Sequence, residues 1–159
     1  MRLYFFRHGP ALSRSEWDSA DDKRPLSESG ESVVRSVSGR MKALDLGVGV
    51  ILTSPYERAL RTAAILQDVL GDEVPLVEEN GLEPGAFNLD SLAEMLEPHR
   101  TLDSVLLVGH EPSMSSVASE LVGGGTFVLK KAGLVRIDLY SGTALSGELR
   151  WLVPPSLLR

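Results

Sequence analysis

At 159 residues with a net charge of −6, the chain has room for one domain with a real core and not for two comfortable ones. Its apolar content and moderate charge exclude a disordered chain, and the acidic balance argues against a nucleic-acid backbone as partner, since phosphate contacts need a basic face. Cysteine is absent, which excludes disulfides, thiolate nucleophiles and cysteine–zinc sites and fits a reducing compartment.

The amino terminus, Met1 to Phe6, is an apolar run cut short by Arg7. It is too short for a signal-peptide core or a membrane span and reads as a buried strand over Leu3–Phe6, so the expected location is cytoplasmic, with no membrane contact. A polar stretch from Pro10 to Pro25 reads as a long loop, a feature that compact domains tend to use functionally. Ser27 is an expected N-cap with Glu28 and Glu31 in the first turn, and Val33, Val34, Val37, Met41 and Leu44 follow at helical spacing. A short strand is expected within Gly47–Leu52.

Ser54-Pro55-Tyr56-Glu57 reads as a helix start, with Ser54 as N-cap, Pro at the first helical position and Glu three residues after the cap. Ala59, Ala63, Leu66 and Leu70 continue one face up to Gly71. A strand at Pro75–Val77, a helix through Leu89, Leu92 and Leu96, and a strand over Ser104–Val108 come next. Pro112 opens a helix carrying Met114, Val117, Ala118 and Leu121, which Gly123-Gly124-Gly125 ends. Strands at Leu134–Tyr140 and Glu148–Val153 close the chain. This alternation predicts one α/β domain over residues 1–159, a mainly parallel sheet of about five or six strands with helices on both faces.

Three segments share one position in that plan. Arg7-His8-Gly9 follows the first strand, Ser54–Arg58 follows the second and opens a helix, and Gly109-His110-Glu111-Pro112 follows a later strand and opens another. Ligands of α/β sheets bind beyond the carboxyl ends of strands, where helix N-termini offer free N–H groups to anions. Two arginines and two histidines there suit a dianion, and arginine donates two parallel hydrogen bonds to a phosphoryl group.

Arg7-His8-Gly9, Ser54-Pro55-Tyr56-Glu57-Arg58-Ala59 with Thr62-Ala63, and Gly109-His110 together resemble the three motifs of the histidine phosphatase superfamily. Arg24-Pro25-Leu26-Ser27 with Gly30, Leu82-Glu83-Pro84-Gly85, the spacing and the short chain resemble its SixA branch, the small phosphohistidine phosphatases. The resemblance implies the histidine phosphatase, or phosphoglycerate-mutase-like, fold and a metal-independent phosphatase that needs no cofactor. In that reading His8 is the nucleophile, its second ring nitrogen donating to a backbone carbonyl. Arg7 and Arg58 hold phosphoryl oxygens, His110 completes the cradle as a cation, and Arg24 is a further contact at the mouth. The substrate it implies is phosphohistidine on a protein such as a phosphotransfer or phosphocarrier domain.

One position departs from the pattern. Many members carry a glutamate two residues after a leucine as general acid; after Leu82 that place holds Pro84. Glu83, Glu79 and Asp21 are weak substitutes. Without an acid an alkoxide leaves poorly, whereas imidazole leaves readily once protonated, so the deficit favours an N–P bond over an ordinary ester. The alternatives are a phosphatase of small esters that uses Glu83 or Glu79, and a phospho-group binding module without turnover; a mutase would have to enclose two phosphoryl groups. The remaining features read more simply: His99 as an exposed residue near a helix end, Arg61 as solvent-facing, and Lys130-Lys131 as a solvated turn able to guide an acidic partner. The Gly123–Gly125 run lacks the Lys-Ser or Lys-Thr of a P-loop.

Overall fold

The computed structural model describes residues 1–142 and 144–158. Six strands form one sheet: β1 (Arg2–Arg7), β2 (Ile51–Thr53), β3 (Leu76–Glu78), β4 (Ser104–Gly109), β5 (Leu134–Leu139) and β6 (Gly147–Val153), in the order β3-β2-β4-β1-β5-β6. The pairs β1–β4, β2–β4 and β2–β3 are parallel, whereas β5 runs antiparallel to both β1 and β6. The sheet is therefore mainly parallel, with β5 as its one reversed strand.

The helices are α1 (Glu28–Ala43), α2 (Glu57–Leu70), α3 (Leu89–Leu96) and α4 (Ser113–Leu121). They cover both faces, as the alternation of β1 requires. Leu3 and Phe5 point into a core shared with α3 and α4 through Leu92, Met95, Met114 and Val117. Tyr4 and Phe6 point into the opposite core with Val34, Val37 and Met41 of α1 and Ala59, Ala63 and Leu66 of α2. The α1 face ends one residue earlier than its spacing suggests. Leu44 caps the helix and is exposed.

Ser27 caps α1 as expected, its Oγ accepting from the Gly30 N–H at 3.0 Å. Gly30 matters for another reason. A Cβ there would lie 1.9 Å from the Pro10 carbonyl oxygen, so only glycine lets the segment after His8 rest on the first turn of α1. Ser54 does not cap α2. That helix begins at Glu57 with Tyr56 as N-cap and no side-chain cap bond, and the Ser54 hydroxyl is occupied elsewhere.

Candidate active site

Sheet register brings the three motifs together. On the neighbouring strands β1 and β4, Arg7 is the register partner of Gly109, and on β2 Thr53 is opposite Val108. The next residue along each strand is then His8, His110 and Ser54, side by side at the carboxyl ends of three adjacent central strands. The His8 and His110 rings lie 5.1 Å apart. All three residues are buried, as is Arg58 in the first turn of α2.

His8 has its orientation fixed at one nitrogen. Its Nδ1 lies 2.7 Å from the Gly9 carbonyl oxygen, which can only accept, so Nδ1 carries the proton and the Nε2 lone pair is free. The backbone around it is held from several sides. The His8 N–H donates to the Gly109 carbonyl, the Ala132 N–H donates to the carbonyls of Arg7 and His8, and the Gly9 N–H donates to Thr62 Oγ1 at 3.1 Å. Thr62 in turn donates to the Arg58 carbonyl at 2.6 Å, joining the first motif to the second. Burial, then the neighbouring His110, pushes the His8 ring well below the usual histidine range, so it is neutral at neutral pH.

His110 is held differently. Its Nε2 lies 2.9 Å from Ser54 Oγ, and that oxygen also accepts from the Tyr56 N–H at 3.3 Å. The serine hydroxyl can donate to Nε2 while accepting from Tyr56, and in that arrangement the ring proton is on Nδ1. Burial, then the Arg58 charge, lowers the His110 ring to about 3. In the free protein the His110 ring is neutral, because it is buried away from water and sits among guanidinium groups; the cation expected from the sequence belongs to the state with a phosphoryl group bound. A neutral ring with a proton on Nδ1 still donates a hydrogen bond.

Each arginine fork is anchored by part of its donor set. Arg7 Nη1 donates to the Leu129 carbonyl at 2.9 Å. Arg58 Nη1 donates to the Asp21 carbonyl at 2.8 Å and its Nη2 to Asp21 Oδ2 at 3.2 Å. Arg7 Nε, Arg58 Nε and His110 Nδ1 are buried and have no partner among the described residues. Buried polar groups are almost always satisfied, so these three nitrogens beside His8 suit an anion with several oxygens; the buried Glu111 Oε1 is likewise without a partner among the described residues. Tyr56 lines the same space, its ring 5.3 Å from that of His110 and 5.0 Å from the Arg58 guanidinium carbon.

The other sequence candidates fall at different distances from this centre. Arg24 is largely buried and tied to the loop, with Nε to Asp21 Oδ1 at 3.0 Å and Nη1 to the Leu12 carbonyl at 2.6 Å; its charge is felt at His110. Asp21 is unsuited to donating a proton: burial raises its carboxyl, but the Arg24 hydrogen bond and the charges of Arg58, Arg24 and Arg14 hold it below the usual range. Glu83 is half-buried after a single 3₁₀ turn at Asn80–Leu82, which Glu79 precedes. The carbonyl of Leu82 approaches the end of β4, 3.6 Å from where a Gly109 Cβ would stand, while Pro84 is exposed. Arg61 is solvent-facing and pairs with Glu31 at 2.7 Å through both guanidinium arms. One residue has a site role that the sequence does not show, Ser54, which meets His110. Lys131 is exposed in a turn, as expected, and its ammonium is lowered by partial burial and then by Arg7, Arg24 and Arg58.

Among the described residues no three His, Cys, Asp or Glu side chains are grouped to hold a metal ion, and no helix is long and apolar enough to cross a membrane. The chain resembles the solved structure of the protein histidine phosphatase SixA complexed with tungstate at a TM-score of 0.88, with 23% identity and full coverage of both chains. It also resembles the alpha-ribazole phosphatase of Shigella flexneri (TM-score 0.77, 17% identity, covering 98% of this chain and 97% of that one). A phosphoserine phosphatase mutant of Entamoeba histolytica in complex with phosphoserine is similar too (TM-score 0.70, 18% identity, 99% of each chain). At these identities the likeness carries the fold. In sequence, an uncharacterized protein of Picosynechococcus sp. (strain ATCC 27264 / PCC 7002 / PR-6) is 38% identical over 173 residues, covering 97% of this chain and 100% of that one. Residues 3–87 match the histidine phosphatase superfamily (branch 1). The chain belongs to the histidine phosphatase superfamily and is a phosphatase of it.

Proposed function

We propose that the protein is a phosphohistidine phosphatase that works through a phosphoryl group carried briefly on His8. The observation that supports this most is the state of His8: buried, neutral, its Nδ1 proton committed to the Gly9 carbonyl and its Nε2 lone pair free. Around it stand the unpartnered nitrogens of Arg7, Arg58 and His110. In the first step His8 Nε2 attacks phosphorus. An N–P bond forms as the substrate's N–P bond breaks, and the departing imidazole takes the electron pair, having been protonated beforehand. In the second step water attacks the same phosphorus, the bond to His8 breaks, and inorganic phosphate leaves. Arg7, Arg58 and the Nδ1–H of His110 serve both steps by donating to the phosphoryl oxygens, whose charge grows in each transition state. The positive charge comes from the arginines, so the reaction needs no metal and no cofactor.

The choice of substrate rests on the leaving group. Pro84 stands where many relatives carry their acid, and Asp21 is held as an anion by three arginines. A site that lacks the acid carried by many members favours an N–P bond over an alkyl ester. The structural likeness to SixA, described as a protein histidine phosphatase, agrees with a phosphohistidine protein as partner, such as a phosphotransfer or phosphocarrier domain. The second reading is a phosphatase of small esters, as two of the structural relatives are described. It is favoured by the approach of the Leu82 carbonyl to the end of β4, one residue before Glu83. Turnover of a phosphohistidine protein and of an alkyl phosphate, each with wild type and with Glu83→Gln, separates the two. The proposal expects fast N–P cleavage that Glu83→Gln leaves unchanged. Equal rates on the alkyl phosphate, with a roughly hundredfold loss in Glu83→Gln as for a missing general acid, would establish the ester reading.

A further inference from the structure

Asp21 poses an electrostatic contradiction. It is a carboxylate, kept ionised by its neighbours, at the edge of a pocket whose free donors call for an anion. Simple Coulomb repulsion says that it weakens binding of a phosphoryl dianion. Yet its contacts are with the binding groups themselves. Its Oδ2 and its carbonyl oxygen take the two terminal nitrogens of Arg58, at 3.2 and 2.8 Å. Its Oδ1 takes Arg24 Nε at 3.0 Å and lies 3.5 Å from Arg14 Nη2. Arg24 continues to the Leu12 carbonyl at 2.6 Å, so one side chain joins the Pro10–Pro25 loop to the first turn of α2.

We infer that Asp21 is a positioning residue: it strengthens phosphoryl binding by clamping Arg58 and Arg24, and this effect outweighs its own repulsion of the anion. The inference rests on the proposed phosphoryl site and adds to it a residue that touches no substrate. The physical reason lies in the freedom of arginine. A guanidinium on a long flexible stem loses much rotamer entropy when it is fixed by a ligand. Here two of its five N–H groups are already fixed by Asp21, and Nε is left unpartnered and buried. The fork is therefore set before the anion arrives, and fixed donors bind more tightly than mobile ones. Arg7 is prepared in a parallel way by the Leu129 carbonyl, which shows that both forks are anchored from behind. The exposed Arg14, which meets only one edge of Asp21, adds little to the clamp.

The two effects of Asp21 have opposite signs, which makes the test decisive. Tungstate binding to the full chain is measured by calorimetry for wild type, Asp21→Asn, Arg58→Ala and the double variant, with thermal unfolding to show that each is folded. Positioning predicts that Asp21→Asn weakens tungstate about tenfold, the scale of a hydrogen bond to a charged group. It also predicts a clearly smaller loss, or a gain, from the same substitution once Arg58 is already alanine, because only the Arg24 contact and the repulsion of the anion then remain. Asp21→Glu, which keeps the charge and shifts the oxygens, should recover only part of the loss. Tighter binding by Asp21→Asn would overturn the inference, as would equal losses in the presence and absence of Arg58. Failure of wild type to bind tungstate at all would instead overturn the phosphoryl site on which the inference rests.

Discussion

Nε2 of His110 and the hydroxyl of Ser54 lie 2.9 Å apart, joining the ends of β4 and β2 inside the pocket. The bond decides which nitrogen of His110 faces the phosphoryl group. Ser54→Ala should keep the fold, since α2 draws no cap from Ser54, but it frees the ring to adopt the other tautomer. Turnover should fall about tenfold, the size of one neutral hydrogen bond in a buried setting, while Ser54→Thr keeps most of it. A steady-state comparison of the three proteins checks this, and an unaffected Ser54→Ala would mean that the bond does not orient His110.

The Ser54 relationship also shows where sequence reasoning stops. Ser-Pro-Tyr-Glu has the pattern of a helix start, and the pattern alone assigns the serine to the helix. What redirects it is register: Thr53 opposite Val108 and Arg7 opposite Gly109 put Ser54 next to His110, a residue 56 positions away in the chain. The strands, the four helices and the four central side chains were legible because each motif closes a strand whose periodicity is strong. The role of Asp21 was not, since it opens a short 3₁₀ turn, Asp21–Lys23, with no periodicity of its own and is brought in by Arg58 reaching back. The neutral state of His110 in the free protein was hidden for a related reason. Its residue type allows a cation, and only burial among arginines makes the ring neutral.

Two neutral buried histidines make stability depend on pH in a set direction. Both rings have folded values below the ordinary 6.5, His110 at about 3. Between the folded and unfolded values the unfolded chain binds more protons, so stability rises with pH there. Their contribution is complete above about 6.5 and is lost as the pH falls below it. Stability against thermal unfolding should therefore fall progressively from pH 7 toward 4, and His110→Asn should flatten that slope. A slope unchanged by His110→Asn would show that the ring is already charged in the folded protein.

Positive charge at the centre comes from Arg7 and Arg58, with Arg24 beside them. Activity should accordingly survive exhaustive chelation with EDTA. A loss that a divalent ion restores would show that a metal supplies charge assigned here to the guanidinium groups.

Replacing Arg58 by lysine keeps the charge and removes the fork. The lysine cannot hold the two Asp21 oxygens and present a further donor together, so kcat/KM should fall at least a hundredfold, of order one lost preorganised donor. A tenfold or smaller loss would reduce Arg58 to a point charge.

The central claim is that His8 carries the phosphoryl group. Brief reaction with a labelled phosphohistidine protein, followed by an alkaline quench and peptide mapping, tests it directly. The account predicts acid-labile, base-stable phosphate on His8, absent from His8→Ala, which should still bind tungstate through Arg7, Arg58 and His110. Label on His110 or on a serine, or full turnover by His8→Ala, would contradict it.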